Sequence, residues 1–232
     1  MITIMIPVFN EGKIIENSLN RLEDFMKKNY EKYEILIVDD GSTDPTVQII
    51  KKISKKNKKI RVVEHEKNKG IGAAMKTGFK NAKGDVIITM DSDLTYPPQY
   101  IPLLLEKMEE ENADMVIGTP YAKGGNPNEI SPIRFFLSRS VNLMDQILFG
   151  LDFTTPTSFF RAWKKKVGRT IEIKFDGFEA VSESAIKTKR KGYKIVEVPL
   201  KYNSLEGRIS KINIFKTIKK HIEMDVKLLL GD

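Results

Sequence analysis

Two aspartates separated by one residue follow an apolar run near the middle of the chain. The run spans residues 86–90, and the pair is Asp91 and Asp93. Two carboxylates this close repel each other unless a cation lies between them. A hard divalent ion such as Mg²⁺ or Mn²⁺ binds one or two carboxylates together with phosphate oxygens. The pair therefore predicts a metal site that holds a diphosphate, although the same residues also suit a polar turn before Pro97 and Pro98.

Two more clusters of polar residues follow apolar runs in the first part of the chain. One contains Pro7, Phe9 and Glu11, and the other begins with Asp39 and Asp40. In parallel α/β sheets, ligands bind beyond the carboxyl ends of the strands. A carboxylate at a strand end can accept hydrogen bonds from a nucleotide base or from ribose hydroxyls. The second cluster is equally good turn and N-cap chemistry, and that alternative stays open.

The segment 68–74, which includes Lys69, places small residues at the start of a predicted helix. Backbone N–H groups in such a position can approach an anion. The segment lacks both the full dinucleotide fingerprint and the lysine-serine pair of a P-loop. It therefore supports neither a Rossmann dehydrogenase nor a P-loop NTPase.

Alternating apolar runs and amphipathic stretches predict the elements that position these residues. Strands are predicted at 2–8, 34–39, 60–65, 85–90 and 114–119, and helices at 13–28, 44–56, 71–82 and 98–111. This alternation predicts an α/β fold with a mainly parallel, Rossmann-like sheet and helices on both faces. After Tyr121 come a Gly/Asn/Pro loop at 123–128, an apolar stretch at 133–151, a helix near 178–191 and a strand at 193–198.

The last stretch, 212–232, is basic and amphipathic. Apolar residues recur there at three- and four-residue spacing, with lysines between them: Phe215, Ile218, Ile222, Val226 and Leu229. This spacing predicts a helix. Packing on the core is the favoured interpretation, and a helix on a membrane surface is the alternative.

Composition limits the classes of protein that fit. Of the 232 residues, 41% are hydrophobic and 30% are charged, so the chain can bury a sizeable core. The absence of cysteine excludes disulfides, a thiolate zinc site and a cysteine nucleophile. The net charge of +8 favours anionic partners, but no stripe of stacking aromatics accompanies the lysines, so nucleic acid is not expected. With no signal-like start and no apolar run of about 20 residues, we expect a cytoplasmic protein that does not span a membrane.

Four segments, in this order, resemble family 2 glycosyltransferases of the GT-A fold: 7–11, 38–44, 68–74 and 90–98. Later segments at 116–118, 123–125, 157–162, 190–199 and 210–211 follow the family order too, so the resemblance covers nearly the whole chain. Within the family, the chain most resembles the dolichol-phosphate or polyprenyl-phosphate mannose or glucose synthases. The resemblance implies a GDP- or UDP-sugar donor and a Mg²⁺ or Mn²⁺ cofactor.

The resemblance also implies roles for matched residues. The nucleotide-binding positions are Pro7, Phe9, Glu11, Val38, Asp39, Asp40, Lys69, Asp91, Ser92 and Asp93. Of these, Asp91 and Asp93 hold the metal. Arg134 falls where the branch places an arginine after its Gly-Gly loop, and its charge suits a lipid phosphate acceptor. Further acceptor-phosphate candidates are Arg139, Arg208 and Lys211.

Three positions depart from the usual pattern of the branch. Thr95 stands in place of glutamine, Pro120 in place of arginine, and Phe159 in place of glycine. These changes fall more on the acceptor side than on the nucleotide side. The acceptor therefore stays the open question of the sequence.

Two kinds of acceptor require different catalytic groups. An anionic phosphate needs no strong base, because positioning and the metal suffice. A sugar hydroxyl needs a carboxylate base, for which Glu183 is the first candidate and Asp152 the second.

The sequence therefore predicts a metal-dependent, inverting transfer of a hexose to polyprenyl or dolichyl phosphate. The alternatives are transfer to a saccharide hydroxyl, and a nucleotide-sugar-binding protein without turnover. Residues 1–211 are expected to form the GT-A domain, with a nucleotide-sugar half at 1–120 and an acceptor half at 121–211. The helix at 212–232 is expected to pack on the core, and the alternative is that it lies at the cytoplasmic face of an anionic membrane, alone or with a separate membrane subunit.

Overall fold

A computed structural model describes residues 1–203 and 214–231 of the chain, and residues 214–216 by their backbone alone. The strands are β1 (Ile2–Val8), β2 (Tyr33–Asp39), β3 (Ile60–Glu64), β4 (Val86–Thr89), β5 (Met115–Thr119), β6 (Arg161–Lys164) and β7 (Ile195–Pro199). The helices are α1 (Ile15–Asn29), α2 (Thr46–Lys56), α3 (Ile71–Asn81), α4 (Ile101–Glu110), α5 (Pro132–Phe149), α6 (Lys165–Thr170), α7 (Glu179–Arg190) and α8 (Ile214–Leu229).

The strands form a seven-stranded sheet in the order β3-β2-β1-β4-β6-β5-β7. Strand β6 runs antiparallel to both of its neighbours, and the other pairings are parallel. The predicted mainly parallel α/β sheet is therefore confirmed. Because the chain moves outward from β1 in both directions, β1 and β4 flank the point where strand order reverses. The carboxyl ends of β2, β1 and β4 meet there, which is where such sheets bind ligands.

Both faces of the sheet are buried, which explains why its strands are almost continuously apolar. Alternate residues of β1 show the two cores. Ile4 and Ile6 belong to the core on one face, together with Leu22 of α1. Met5 points to the opposite core. A Cβ on Gly78 of α3 would lie only 1.7 Å from the Met5 sulfur, so this glycine lets α3 lie close to the sheet.

Strand β6 was not predicted, because its sequence gives no strand signal. It begins with Arg161, a charged residue that is 1% exposed. The guanidinium donates hydrogen bonds to the Val181 carbonyl at 3.0 Å and to the Ser184 hydroxyl at 2.9 Å. Burial lowers the pKa of Arg161 to about 9. A charge at the centre of a sheet depends on these partners from α7, which local sequence does not reveal.

Two helices also differ from the prediction. The predicted helix at 98–111 begins as one turn of 3-10 helix, Pro98–Tyr100, and continues as α4. The apolar stretch at 133–151 had no assigned structure and forms the 18-residue helix α5.

Helix α8 packs on the core with a face different from the predicted apolar stripe. Of the stripe, Ile222, Val226 and Leu229 are 47%, 50% and 52% exposed. The buried face carries Met224 and Leu228 instead. These three residues, which form the outward stripe of α8, therefore lie on the outer surface. None of the helices in the described part of the chain combines the length and the apolarity that crossing a bilayer requires.

Candidate nucleotide and metal site at the carboxyl ends of the strands

The Asp91 and Asp93 pair lies in a tight turn directly after β4. The Leu94 N–H donates to the Asp91 carbonyl at 3.2 Å, and the Thr95 N–H donates to Asp93 Oδ1 at 2.9 Å. Leu94 takes a left-handed φ of 56° while its side chain is buried. The turn thus fixes two half-buried carboxylates at the strand end. Their oxygen donors fit a hard divalent cation, and Thr95 orients Asp93 through its backbone.

Asp39 is the last residue of β2, and its two carboxylate oxygens have different environments. Its Oδ2 accepts hydrogen bonds from the N–H groups of Gly41 and Ser42, at 3.1 and 3.0 Å. Its Oδ1 is buried and has no hydrogen-bond partner among the residues that the structure describes. Buried polar atoms are nearly always hydrogen-bonded, so this oxygen is an acceptor without its donor. An N–H group of a nucleotide base would satisfy it.

Asp40 has a different environment, although it is the next residue. Its Oδ1 accepts from the Lys69 N–H at 2.9 Å, and its Oδ2 from the Gly70 N–H at 2.7 Å. His65 Nδ1 lies 2.7 Å from Oδ1. These N–H groups were expected to face an anionic ligand, and here they face Asp40 instead. Asp40 therefore holds the start of α3 in place, and its contact with the nucleoside stays a prediction.

The loop after β1 carries the remaining candidates of the first cluster. Phe9 is 39% exposed, so its ring can stack on a base. The Glu11 N–H donates to the Thr46 hydroxyl at 2.8 Å, and Asn10 Oδ1 accepts from the Thr43 N–H at 2.8 Å. These bonds join the loop after β1 to the loop after β2 and to the start of α2. Phe9 and Asp39 therefore lie on one wall of the candidate nucleotide site.

Four further nucleotide-side candidates take different places around this wall. Pro7 is half-buried at the end of β1, and Ser92 is buried between the two metal-site aspartates. Val38 is completely buried in the core and shapes the site from beneath. Lys69 is exposed, so its side chain can reach a ligand.

A cluster of tyrosines, which sequence reasoning missed, connects Asp91 with the arginines of α5. Burial raises the pKa of Tyr96, the nearby Asp91 raises it further, and Arg134 lowers it. Tyr96 thus lies within electrostatic reach of both charges. Its ring lies edge-on to that of Tyr202, with the centroids 6.2 Å apart. Tyr121 in turn contacts Phe135 in the first turn of α5, with the ring centroids 5.6 Å apart.

Arg139 joins the same cluster from the next turns of α5. Its guanidinium lies 5.7 Å from the ring centroid of Tyr121. Burial raises the pKa of Tyr121, and both Arg134 and Arg139 partly offset this effect. Both arginines are exposed. The only sequence signal for these tyrosines is their position, since Tyr96 and Tyr121 each follow a strand end by a few residues.

The two candidate bases are engaged elsewhere. The Glu183 side chain is 0% exposed, and its carboxylate accepts from the N–H groups of Lys174 and Phe175, at 2.8 and 3.0 Å. Lys187 Nζ lies 2.6 Å from the same carboxylate. Asp152 is exposed and forms a 2.7 Å ion pair with Lys189.

This geometry gives Glu183 a positioning role. The loop that it holds continues to Asp176, whose carbonyl accepts from the Gly72 N–H at 2.7 Å. Glu183 thereby supports the start of α3, next to Asp40. The acceptor candidates Arg208 and Lys211 lie outside the described residues.

Comparison with known proteins agrees with this arrangement. The model of the family "Glycosyl transferase family 2" matches residues 3–171. The chain is 32% identical over 230 residues to a dolichol-phosphate mannosyltransferase of Pyrococcus furiosus, a match that covers 98% of this chain and 63% of that protein. The chain therefore spans less than two thirds of the length of that relative. It is 29% identical over 215 residues to an undecaprenyl-phosphate mannosyltransferase of Micrococcus luteus, covering 90% of this chain and 86% of that protein.

A solved structure shares the fold. Glucosyl-3-phosphoglycerate synthase from Mycobacterium tuberculosis, in complex with Mn²⁺, UDP and phosphoglyceric acid, superposes with a TM-score of 0.74 at 19% identity. The superposition covers 100% of this chain and 78% of that one. Together with the family model, which covers well over half of the sequence, these findings show that the chain belongs to glycosyl transferase family 2.

Proposed function

We propose that the protein transfers a hexose from a nucleotide-sugar to the phosphate of a polyprenyl or dolichyl phosphate, with a divalent metal and with inversion at the sugar. The observation that carries the proposal is the cluster of tyrosines between the strand ends and α5, in which the Tyr96 ring lies edge-on to Tyr202 and the Arg139 guanidinium lies 5.7 Å from the centroid of Tyr121. One side of this cluster suits the diphosphate of the donor, and the other side suits an anionic acceptor. Relatives named as polyprenyl-type phosphate mannosyltransferases support this choice of acceptor.

The donor side rests on four side chains at the carboxyl ends of β1, β2 and β4. Phe9 offers an exposed ring, and Asp39 offers a buried oxygen without a partner among the described residues. A nucleotide base would be held by its face, which stacks on the Phe9 ring, and by its edge, which donates a hydrogen bond to Asp39. A nucleotide bound in this way would direct its diphosphate toward Asp91 and Asp93, where a bound Mg²⁺ or Mn²⁺ would stabilise the negative charge of the leaving nucleoside diphosphate.

The acceptor side rests on helix α5. Arg134 and Arg139 are exposed on its first turns, and a guanidinium binds phosphate oxygens through two parallel hydrogen bonds. Apolar side chains on the same helix are unusually open, with Ile133, Phe136 and Ile147 at 73%, 69% and 72% exposed. A phosphate group with a long apolar tail matches this combination of charge and apolar surface.

The engagement of the two carboxylates favours phosphate over a sugar hydroxyl. Glu183 is buried and hydrogen-bonded, and Asp152 is paired with Lys189 on the surface. A hydroxyl acceptor requires a base within hydrogen-bond reach of its proton. A phosphate monoester is already an anionic nucleophile, so the work of the protein is to align it and to keep the charges paired.

We further propose that the protein works as a peripheral protein at the cytoplasmic face of an anionic membrane, where a lipid acceptor is found. The apolar stripe of α8 and the open apolar residues of α5 both lie on the outer surface. Exposed lysines at 219 and 220 accompany the stripe, as in helices that lie in the headgroup region. A separate membrane subunit that covers these residues is the alternative partner.

A donor and acceptor screen tests the proposed function. Purified protein is incubated with GDP-mannose, UDP-glucose or related donors, with Mg²⁺ or Mn²⁺, and with or without a short polyprenyl phosphate in detergent. We expect release of GDP or UDP that depends on the polyprenyl phosphate, and a loss of roughly 100-fold or more in Asp91→Asn, because several kcal/mol of charge stabilisation disappear.

The same screen separates the alternatives. Metal-dependent binding of a nucleoside diphosphate without release from any donor would identify a binding protein without turnover. Release with saccharide acceptors but not with polyprenyl phosphate would move the acceptor to a hydroxyl. Either result would overturn the proposed reaction.

A further inference from the structure

Three buried polar side chains meet where α8 crosses α5, away from the strand ends. They are Asp145 of α5 and His221 and Asp225 of α8, which are 0%, 4% and 2% exposed. His221 Nε2 lies 2.8 Å from Asp145 Oδ1 and 3.8 Å from Asp225 Oδ1. The spacing of four residues puts His221 and Asp225 on one face of α8. Two helices thus present one imidazole and two carboxylates to a common point.

The protein alone leaves this cluster incompletely satisfied. Asp145 Oδ2 and both carboxylate oxygens of Asp225 are buried and have no hydrogen-bond partner among the described residues. Buried carboxylates are normally paired, hydrogen-bonded or bound to a metal. A positive group that supplies several bonds at once would satisfy these oxygens.

We propose that Asp145, His221 and Asp225 form a second metal site, which holds a divalent transition ion of the Zn²⁺ type. One ligand atom from each residue lies within 4.8 Å of the other two. In a tetrahedral zinc site with bonds of about 2.0 to 2.2 Å, ligand atoms lie about 3.4 Å apart, so small side-chain rotations close the site. The ion would neutralise the two carboxylates while His221 binds as neutral imidazole.

The ligand set separates this site from the one at the strand ends. Asp91 and Asp93 offer carboxylate oxygens, which suit Mg²⁺ or Mn²⁺ beside phosphates. An imidazole with two carboxylates in a buried pocket favours Zn²⁺ or another late transition ion over Mg²⁺. The two sites also use different elements, since the second joins helices rather than strand ends.

The location of the second site gives it a structural role. Among the described contacts, α8 is also held by Arg190, whose Nη1 donates to the Leu228 carbonyl at 2.9 Å. An ion shared by Asp145, His221 and Asp225 would fix the angle between α5 and α8. Both helices carry open apolar side chains on their outer surfaces, so the ion would set how these surfaces are presented together.

Metal stoichiometry tests the proposal independently of the transferase reaction. Asp91→Asn/Asp93→Asn protein, in which the strand-end site is disabled, is dialysed against Zn²⁺ and its bound metal is measured. We expect about one ion per chain, and a Tm about 5 to 10 °C higher when Zn²⁺ exceeds its Kd a hundredfold. Adding Asp225→Asn should abolish both effects, whereas adding Asp24→Asn, at an exposed carboxylate on α1, should preserve them.

Unchanged zinc binding in the Asp225→Asn protein would overturn the proposal, and so would absence of bound zinc in the Asp91→Asn/Asp93→Asn protein. If the added substitution prevents folding, Co²⁺ replaces Zn²⁺ in the folded Asp91→Asn/Asp93→Asn protein. Strong visible absorption of four-coordinate Co²⁺ is the expected result. A spectrum of hexaaqua Co²⁺ alone would show that the cluster holds no metal.

Discussion

Asp39 and Asp40 are consecutive residues at the end of β2, yet Asp39 has a buried oxygen without a partner among the described residues, whereas both oxygens of Asp40 accept hydrogen bonds. Asp40 accepts hydrogen bonds from the N–H groups of Lys69 and Gly70 and contacts His65. Asp39 keeps Oδ1 buried, without a hydrogen-bond partner in the part of the chain that the structure describes. We therefore expect the two residues to have different tasks: Asp39 to contact the ligand, and Asp40 to support the loop that surrounds it.

This division predicts opposite effects for two matched substitutions. Asp39→Asn places an amide donor or a weaker acceptor at the base edge, so we expect about 10-fold weaker binding of GDP or UDP. Asp40→Asn removes a charged acceptor from two backbone N–H groups, so we expect the free energy of unfolding to fall by about 1 to 3 kcal/mol. Calorimetric titration and urea denaturation of both variants measure the two effects. Equal losses of affinity and stability in both variants would contradict the division.

The acceptor side gives a second prediction. Arg134→Ala should raise the KM for polyprenyl phosphate by about 10-fold to 100-fold, with little change in the KM for the donor, because a charged hydrogen bond to the acceptor is lost. Arg134→Lys keeps the charge but not the planar guanidinium. Its KM for polyprenyl phosphate should therefore lie between those of the wild-type protein and Arg134→Ala. Arg21→Ala, at an exposed position on α1, is the control. An effect of Arg134→Ala on the donor KM alone would place this residue on the nucleotide side.

The sequence predicted the nucleotide half of the fold well, because each βα unit there has its own local signal. Strands β1 and β2 are apolar runs buried on both faces, and polar residues mark the points where they end. Strand β6 lacked such a signal, since the guanidinium of Arg161 is stabilised by α7 rather than by its neighbours in sequence. Strand β6 therefore depends on contacts with a distant segment of the chain, which its own sequence does not show.

The same limit applies to the site. Sequence order placed Asp39, Asp91 and Asp93 at neighbouring strand ends, since parallel strands align their carboxyl ends. It did not show that Asp40 faces the N–H groups of the next loop, or that Glu183 is fully buried. The partners of Asp40 and Glu183 come from other segments of the chain, so only tertiary packing determines which groups they contact.

The outward stripe of α8 gives a third prediction. Ile222→Glu/Val226→Glu should abolish binding to vesicles of phosphatidylcholine and phosphatidylglycerol, because two half-exposed apolar side chains no longer enter the headgroup region. Lys219→Gln/Lys220→Gln changes the net charge by the same two units at exposed positions. At low salt this control should bind more weakly than the wild-type protein but still bind. At high salt, where screening removes the electrostatic contribution, it should bind nearly as well as the wild-type protein. Equal loss in both variants would mean that charge alone drives the attachment.

A last prediction concerns the buried Glu34 in β2. Burial raises the pKa of Glu34, but hydrogen bonds from the Lys83 N–H, the Thr3 hydroxyl and Arg61, with the charge of Arg61, outweigh it. The pKa in the folded protein is therefore below its ordinary value of 4.5. A lowered carboxyl pKa stabilises the folded state above the unfolded pKa, and this stabilisation is lost as the pH falls through the folded pKa.

Substitution of Glu34 should show this dependence directly. Glu34→Gln removes the charge beside Arg61, so the free energy of unfolding at neutral pH should fall by about 2 kcal/mol. The difference from the wild-type protein should shrink as the pH falls below about 4.5, because the unfolded wild-type chain then binds a proton at this carboxyl that the folded protein binds only at a lower pH. Urea denaturation from pH 7 to pH 3 measures it, with the exposed Glu16→Gln on α1 as a control that should differ little from the wild-type protein. A difference that stays constant across this range would show that the contribution of Glu34 comes from packing, since packing does not titrate.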